Sequence, residues 1–220
     1  LKVEGGQVVD ASSTLIPVFS DVISPDSEMT SLISQLRAPY EAECNRVIGK
    51  ARSLLYRRGN FNGSWDDVIC DAIREERDVE IALSPGFRWG TTLLPDQPIT
   101  IDDMYSQTAM NYPAVYRTEM TGEQLKIILE DVCDNLFNPN PYYQQGGDMV
   151  RVGGLSYECA PKEVMGNRIQ NMVFTPTGAP IEANKSYVVG GWASVNPDTE
   201  GPAIYDLLEN YIQRKNLIIP

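Results

Sequence analysis

Residues 121–137, TGEQLKIILEDVCDNLF, set the first limit on what this chain can fold into. Thr121 and Gln124 form a T-x-x-Q start signal, in which the two side chains satisfy N–H groups left open at a helix start. Behind them Leu125, Ile128, Leu129, Val132 and Leu136 recur at helical spacing. A helix with one apolar face must cover something, and the candidates are strands. AVYRTEM (114–120) alternates as a strand, and VEIALS (79–84) is a short apolar one ending in the Pro- and Gly-punctuated PGFRWG.

Other segments follow the same mixture. Val3 and Val8–Val9 flank EGG, which predicts a hairpin. Residues 26–40 predict an amphipathic helix with Met29, Leu32, Ile33, Leu36 and Tyr40 on one face. RVIGKARSLLY (46–56) is a strand candidate. Ser64, with Asp67 three residues on, occupies the capping-box position of a helix whose buried stripe is Val68, Ile69, Ala72 and Ile73. ITIDDMYSQ (99–107) suggests a short helix. LSYECA, RIQNMVFTPTGAPI and SYVVGGW read as strands, and 201–215 as a last helix burying Ile204, Leu207, Leu208, Tyr211 and Ile212. No repeats or low-complexity tracts occur. The fold class is therefore α+β (mixed α/β), with helices packed on a twisted mixed sheet.

Composition removes several functions. The chain of 220 residues carries a net charge of −12, which suits no nucleic-acid partner, since phosphate binding needs clustered Lys and Arg. No apolar run approaches the ~18 residues of a membrane span, and no signal peptide is visible. The sequence opens on Leu1 and reads as a processed or truncated product. It has no histidine, which excludes Ser-His-Asp and Cys-His catalysis and histidine metal ligation. Cys44, Cys70, Cys133 and Cys159 include no CxxC pair; they read as buried thiols or one incidental disulfide.

Two glycine-rich loops hold the residues suited to binding. LSPGFRWG (83–90) follows an apolar strand and offers Ser84, Gly86, Phe87 and Arg88. QQGGDMVRVGG (144–154) offers Gly146, Gly147, Asp148 and Arg151. Arginine beside open backbone N–H groups can grip an oxyanion with a forked pair of hydrogen bonds. The competing reading is a turn arginine paired with an acid such as Asp148. In RRGN (57–60) the adjacent arginines are expected to face water. Trp192, beside glycines, is either a stacking platform or part of the core.

The order of these pieces resembles the C-terminal domain of the 5′-nucleotidase family over nearly the whole chain. SPGFR stands where that family has GGG-x-R, and ITIDDMY where it has ITxxDL. EMTGEQL matches LTGxQL, VRVGGL matches a QxSGL-like stretch, and Trp192 falls near the aromatic loop before the last helix. The string GGDMVRVGG points to the SoxB branch, thiosulfohydrolases of bacterial sulfur oxidation. AMNYPAVY, with Asn111 and Tyr112, and NPDTEG depart from the nucleotidase pattern, which favours a substrate other than a nucleoside. The resemblance implies that residues 1–22 are the end of an N-terminal metallophosphatase domain or a linker hairpin. Residues 23–220 would be the substrate-recognition domain. It also implies two manganese ions in that other domain and none here, no catalytic residue and no activity in this stretch alone, and a periplasmic location. The implied partners are a SoxYZ-type sulfur carrier and the metallophosphatase domain, with no nucleic acid and no membrane. The implied reaction releases sulfate from a cysteine-S-sulfonate-type conjugate. Arg88, Ser84, Gly86, Phe87, Gly146, Gly147, Asp148, Arg151, Tyr112 and Trp192 would bind substrate, and Gly146, Gly147, Gly153 and Gly154 would let a thin carrier arm pass the backbone. The alternatives are a 5′-nucleotidase-type phosphohydrolase or a free-standing binding module without catalysis.

Overall fold

The computed structural model describes residues 1–19, 21–57, 59–86, 89–108 and 111–219. They form two compact units, Leu1–Ala42 and Glu43–Pro220. In the first unit β1 (Lys2–Glu4) and β2 (Gln7–Asp10) pair antiparallel. Gly5 and Gly6 both take positive φ between them, the backbone a tight hairpin turn needs. α1 (Ser27–Arg37) starts at Asp26, whose carboxylate accepts the Met29 N–H at 2.8 Å. Its stripe of Met29, Leu32, Ile33 and Leu36, with Tyr40 beyond it, is exposed.

The elements that follow are α2 (Glu41–Cys44), β3 (Val47–Ala51), α3 (Ser64–Arg77), β4 (Ile81–Ser84), β5 (Pro98–Thr100) and α4 (Ile101–Thr108). Then come β6 (Tyr116–Thr121), α5 (Gly122–Phe137), β7 (Arg151–Gly153), β8 (Leu155–Cys159), β9 (Ile169–Phe174), β10 (Ala179–Pro180), β11 (Ser186–Gly191), α6 (Ile204–Lys215) and β12 (Leu217–Ile218). The central sheet has the order β6-β11-β4-β7. β4 and β11 run parallel at its middle, and both outer pairs are antiparallel.

Alternation along β4 explains the apolar run in VEIALS. Ile81 and Leu83 pack with Leu125, Leu129 and Cys133 of α5. Ala82 belongs to the other core, with Ile69 and Ile73 of α3 and Leu208 and Ile212 of α6. A strand covered on both faces has no polar side to show. A second sheet, β12-β3-β5, joins the α3–α6 core, and a third, β10-β9-β8, joins the α5 core.

The T-x-x-Q signal forms as a complete capping box: Gln124 N–H donates to Thr121 Oγ1 at 3.2 Å, and Thr121 N–H to Gln124 Oε1 at 2.8 Å. The signal at Ser64 does not. Gly63 is the N-cap of α3 without a side-chain bond. Ser64 Oγ instead accepts the Tyr56 N–H at 3.1 Å and donates to the Leu54 carbonyl, while Asp67 accepts from Asn62 at 2.7 Å. Both side chains brace the incoming segment, so neither is left to cap. β3 is shorter than the apolar run suggested, because the chain bends after Ala51 and returns to pairing only at an isolated bridge, Leu55 with Leu93. β12, two residues long, carries too little pattern to read from sequence.

Candidate functional site

β4 and β11 are parallel neighbours, so their carboxyl ends open on the same edge of the sheet, where sheet proteins usually place ligands. A cleft of about 940 Å3 lies there. Its floor is Leu83 and Ser84 at the end of β4, Pro85 just after it, and Trp192 after β11. One wall is Tyr116, Thr118 and Met120 of β6, another Ile128 and Val132 of α5, and the 193–200 loop forms the rim. The lining is largely apolar. Asp198 and Glu200 stand on the rim. Among the described lining residues Arg117 is the one cation, and its guanidinium donates to the Arg77 carbonyl at 3.2 Å.

Trp192 anchors the floor. It is buried in the α3–α6 core, and its indole N–H donates to Ser84 Oγ at 2.9 Å. Of the two readings offered for it, the core one is what the packing shows, although the residue also borders the cleft. Gly191 sits opposite Tyr116 in the register, and a Cβ there would stand 2.3 Å from Tyr116 Oη. The glycine lets the tyrosine ring lie on the strand, and burial raises the phenol's pKa. Ala193 then takes φ +60°, with its N–H donating to the Tyr112 carbonyl at 3.0 Å. A non-glycine residue held in the left-handed region is strained, and such strain is commonest at functional sites.

Beside the cleft floor lies a buried ionic cluster. Arg57 Nε meets Asp66 Oδ1 at 2.7 Å, and its other nitrogens donate to the carbonyls of Gln107 at 2.9 Å and Pro85 at 2.8 Å. Arg151 Nε lies 3.2 Å from Asp66 Oδ2, and its Nη2 reaches Asp148 Oδ2 at 3.1 Å and the Gly59 carbonyl at 2.6 Å. All four side chains are buried. The cluster ties α3, the end of α4, the loop after β4 and the start of β7 to one point.

The structure gathers Ser84, Gly86, Asp148, Arg151 and Trp192 from distant parts of the chain. Ser84 pairs with Arg151 across β4 and β7, and a Cβ on Gly86 would stand 2.2 Å from the Met149 carbonyl. Arg151, however, does not open onto the cleft. Its guanidinium is sealed and paired with Asp148, which is the competing reading rather than the oxyanion grip. Arg57 likewise faces the interior and not water, with Asp66 and two carbonyls among its partners. Tyr112 is exposed and reaches the site through its backbone. Phe87 and Arg88 lie outside the described residues.

The glycine string also divides. Gly146 and Gly147 take φ +81° and +94° in an open loop with nothing near either missing Cβ. A Cβ on Gly153 would meet Cys70 at 2.7 Å, and one on Gly154 the Glu80 carbonyl at 2.1 Å. The approach that Gly153 and Gly154 permit is already filled by this chain's own α3 and β4. Sequence reasoning missed Tyr116, Ala193 and Asp66. An acid one turn into an amphipathic helix carries no sign of burial, and a left-handed alanine carries no signal at all.

Among the described residues no group of three His, Cys, Asp or Glu side chains is placed to hold a metal ion.

A family model for the 5′-nucleotidase C-terminal domain matches residues 47–210. A solved structure of the sulfate thiohydrolase SoxB from Thermus thermophilus is 31% identical, with a TM-score of 0.79 over 87% of this chain and 36% of that one. A 5′-nucleotidase precursor from Thermus thermophilus is 18% identical, with a TM-score of 0.68 over 86% of this chain and 41% of that one. The NAD nucleotidase of Haemophilus influenzae is 18% identical, with a TM-score of 0.63 over 88% of this chain and 40% of that one. This chain thus spans well under half the length of these proteins. A search of curated protein sequences returned no match.

Proposed function

This chain belongs to the 5′-nucleotidase C-terminal domain family, and on that premise we propose that it is the substrate-recognition domain of a SoxB-type hydrolase. The single observation that carries the SoxB reading is the 31% identity to that enzyme over 87% of this chain; at 18%, the nucleotidase likenesses carry the fold alone. The proposed substrate is a cysteine-S-sulfonate-type conjugate on a sulfur carrier of the SoxYZ type, met in the periplasm, from which sulfate is released. The hydrolytic centre, with two manganese ions, is assigned to a metallophosphatase domain outside this sequence.

This chain's own part is to bind and orient. A largely apolar cleft suits a carrier arm better than a free anion, because an arm contributes apolar surface worth roughly 25 cal/mol per Å2 buried. Leu83, Met120, Ile128, Val132 and Trp192 supply that surface. The strained Trp192–Ala193 turn fixes the rim against which the arm would lie. Arg88 keeps its proposed role as a sulfonate donor.

Trp192 and Tyr116 in the lining favour a second reading, a nucleotidase-type enzyme whose base packs on the aromatic floor. The test uses the full-length enzyme that carries this domain. Sulfate release from an S-sulfonated carrier peptide is followed beside phosphate release from nucleoside monophosphates. The SoxB-type reading expects the first alone, with Ile128→Trp raising KM by filling the cleft. Phosphate release that Ile128→Trp weakens in the same way would transfer the site to the second reading. The 220-residue chain by itself is expected to release neither product.

A further inference from the structure

Two sulfur atoms approach each other on the side of α5 that the proposed recognition role does not use. Cys133 is fully buried on the inner face of α5, and Cys159 is the last residue of β8, half-buried. Their Sγ atoms lie 3.4 Å apart as free thiols. A disulfide needs about 2.05 Å between sulfurs, so the gap to close is small, and side-chain torsions can supply it. The two environments differ. Cys159 lines a separate cavity of about 500 Å3 with Phe61, Asp67 and Tyr157, large enough to admit a small thiol reagent. Cys133 faces Leu125, Leu129 and Ile169 in the core.

We propose that Cys133 and Cys159 are a redox pair, converted between dithiol and disulfide by exchange with a small disulfide that enters through the Cys159 cavity. In the first step the Cys159 thiolate attacks one sulfur of the reagent R–S–S–R. The reagent's S–S bond breaks, one RS− leaves and takes up a proton, and Cys159 carries a mixed disulfide. In the second step the Cys133 thiol gives up its proton, attacks Cys159 Sγ and displaces the second RS−, which is protonated in turn. Two protein thiols are oxidised, and the reagent is reduced to two thiols. Cys159 lines the cavity and meets the reagent first, while burial pushes the Cys133 thiol up to about 12 and keeps it protonated until the mixed disulfide stands beside it. The new bond fastens α5 to β8. Because Val132 and Ile128 of the same helix wall the cleft, the redox state would set how firmly that wall is held.

The test incubates the protein with oxidised glutathione. The expected result is loss of two thiols, a Cys133–Cys159 link in the peptide map, no retained glutathione, and full reversal by dithiothreitol. The Tm of the oxidised form should rise by about 5–10 °C for a closed loop of this length. Cys133→Ala should trap glutathione on Cys159. Cys159→Ser, at the more exposed position, should leave Cys133 unmodified and covers the case in which the buried variant does not fold. Retention of every thiol in the wild-type protein, a stable adduct on Cys159 with Cys133 free, or a link between any other pair would overturn the proposal.

Discussion

Two regions meet at the end of β4 and handle polarity in opposite ways. On one side the Pro85 carbonyl is held by Arg57, within a buried ionic cluster that includes Asp66, Arg151 and Asp148. On the other side Ser84 holds Trp192 at the floor of an open, mostly apolar cleft, followed by the strained backbone of Ala193. The first region fixes a position and offers nothing to a ligand. The second lies open to solvent, and it shares Pro85 with the first. An arginine beside glycines can serve either region, and only burial tells which.

The sharpest way to break this contrast is Asp66→Asn. Asp66 stands between two guanidiniums. Loss of its charge takes a carboxylate from both buried guanidiniums, and removing one partner of a buried ion pair typically costs about 3–5 kcal/mol. Urea unfolding should show a loss of that order. A loss near zero would mean that the cluster does not hold the loop after β4, and that the cleft floor owes its shape to something else.

This same cluster marks where sequence reading stops. The α5 helix, its capping box and the apolar β4 strand were legible, because period and cap are local properties of 121–137 and 79–84. Ser84 stands opposite Arg151 across β4 and β7, which brings the two glycine loops together. The direction in which Arg57 and Arg151 point was not legible, since it depends on Asp66, an α3 residue that looks like an ordinary first-turn acid. The Ser64 cap failed for the same reason: its hydroxyl had nearer partners in Leu54 and Tyr56, which no spacing rule sees.

Within the glycine string a pair of substitutions sharpens the comparison at intermediate size. Gly154→Ala adds a Cβ 2.1 Å from the Glu80 carbonyl at φ +74°, so overpacking adds to left-handed strain and the expected loss is about 2–4 kcal/mol. Gly147→Ala meets nothing within 4 Å and should lose only the strain of about 1 kcal/mol. Equal losses by chemical denaturation would show that both loops are packed alike, and the distinction between a closed and an open glycine pair would fail.

The smallest effect belongs to the cleft itself, and its sign is the informative part. Ala193 holds φ +60° between the Trp192 floor and the 194–200 rim. An L-residue in this region gives up roughly 1–2 kcal/mol that glycine does not. Glycine in turn adds about 0.4–1 kcal/mol of unfolded-chain entropy to be lost on folding. Ala193→Gly should therefore raise stability by about 0.5 kcal/mol. If the strain serves to keep the rim in place, the same variant should bind substrate more weakly in the full-length enzyme, because the turn after Trp192 gains conformations that the alanine forbids. Gain of stability with unchanged KM would make Ala193 a strained residue without a role. Loss of stability would mean that its left-handed turn carries no strain, and the contrast with the buried ionic cluster beside it would lose its main physical support.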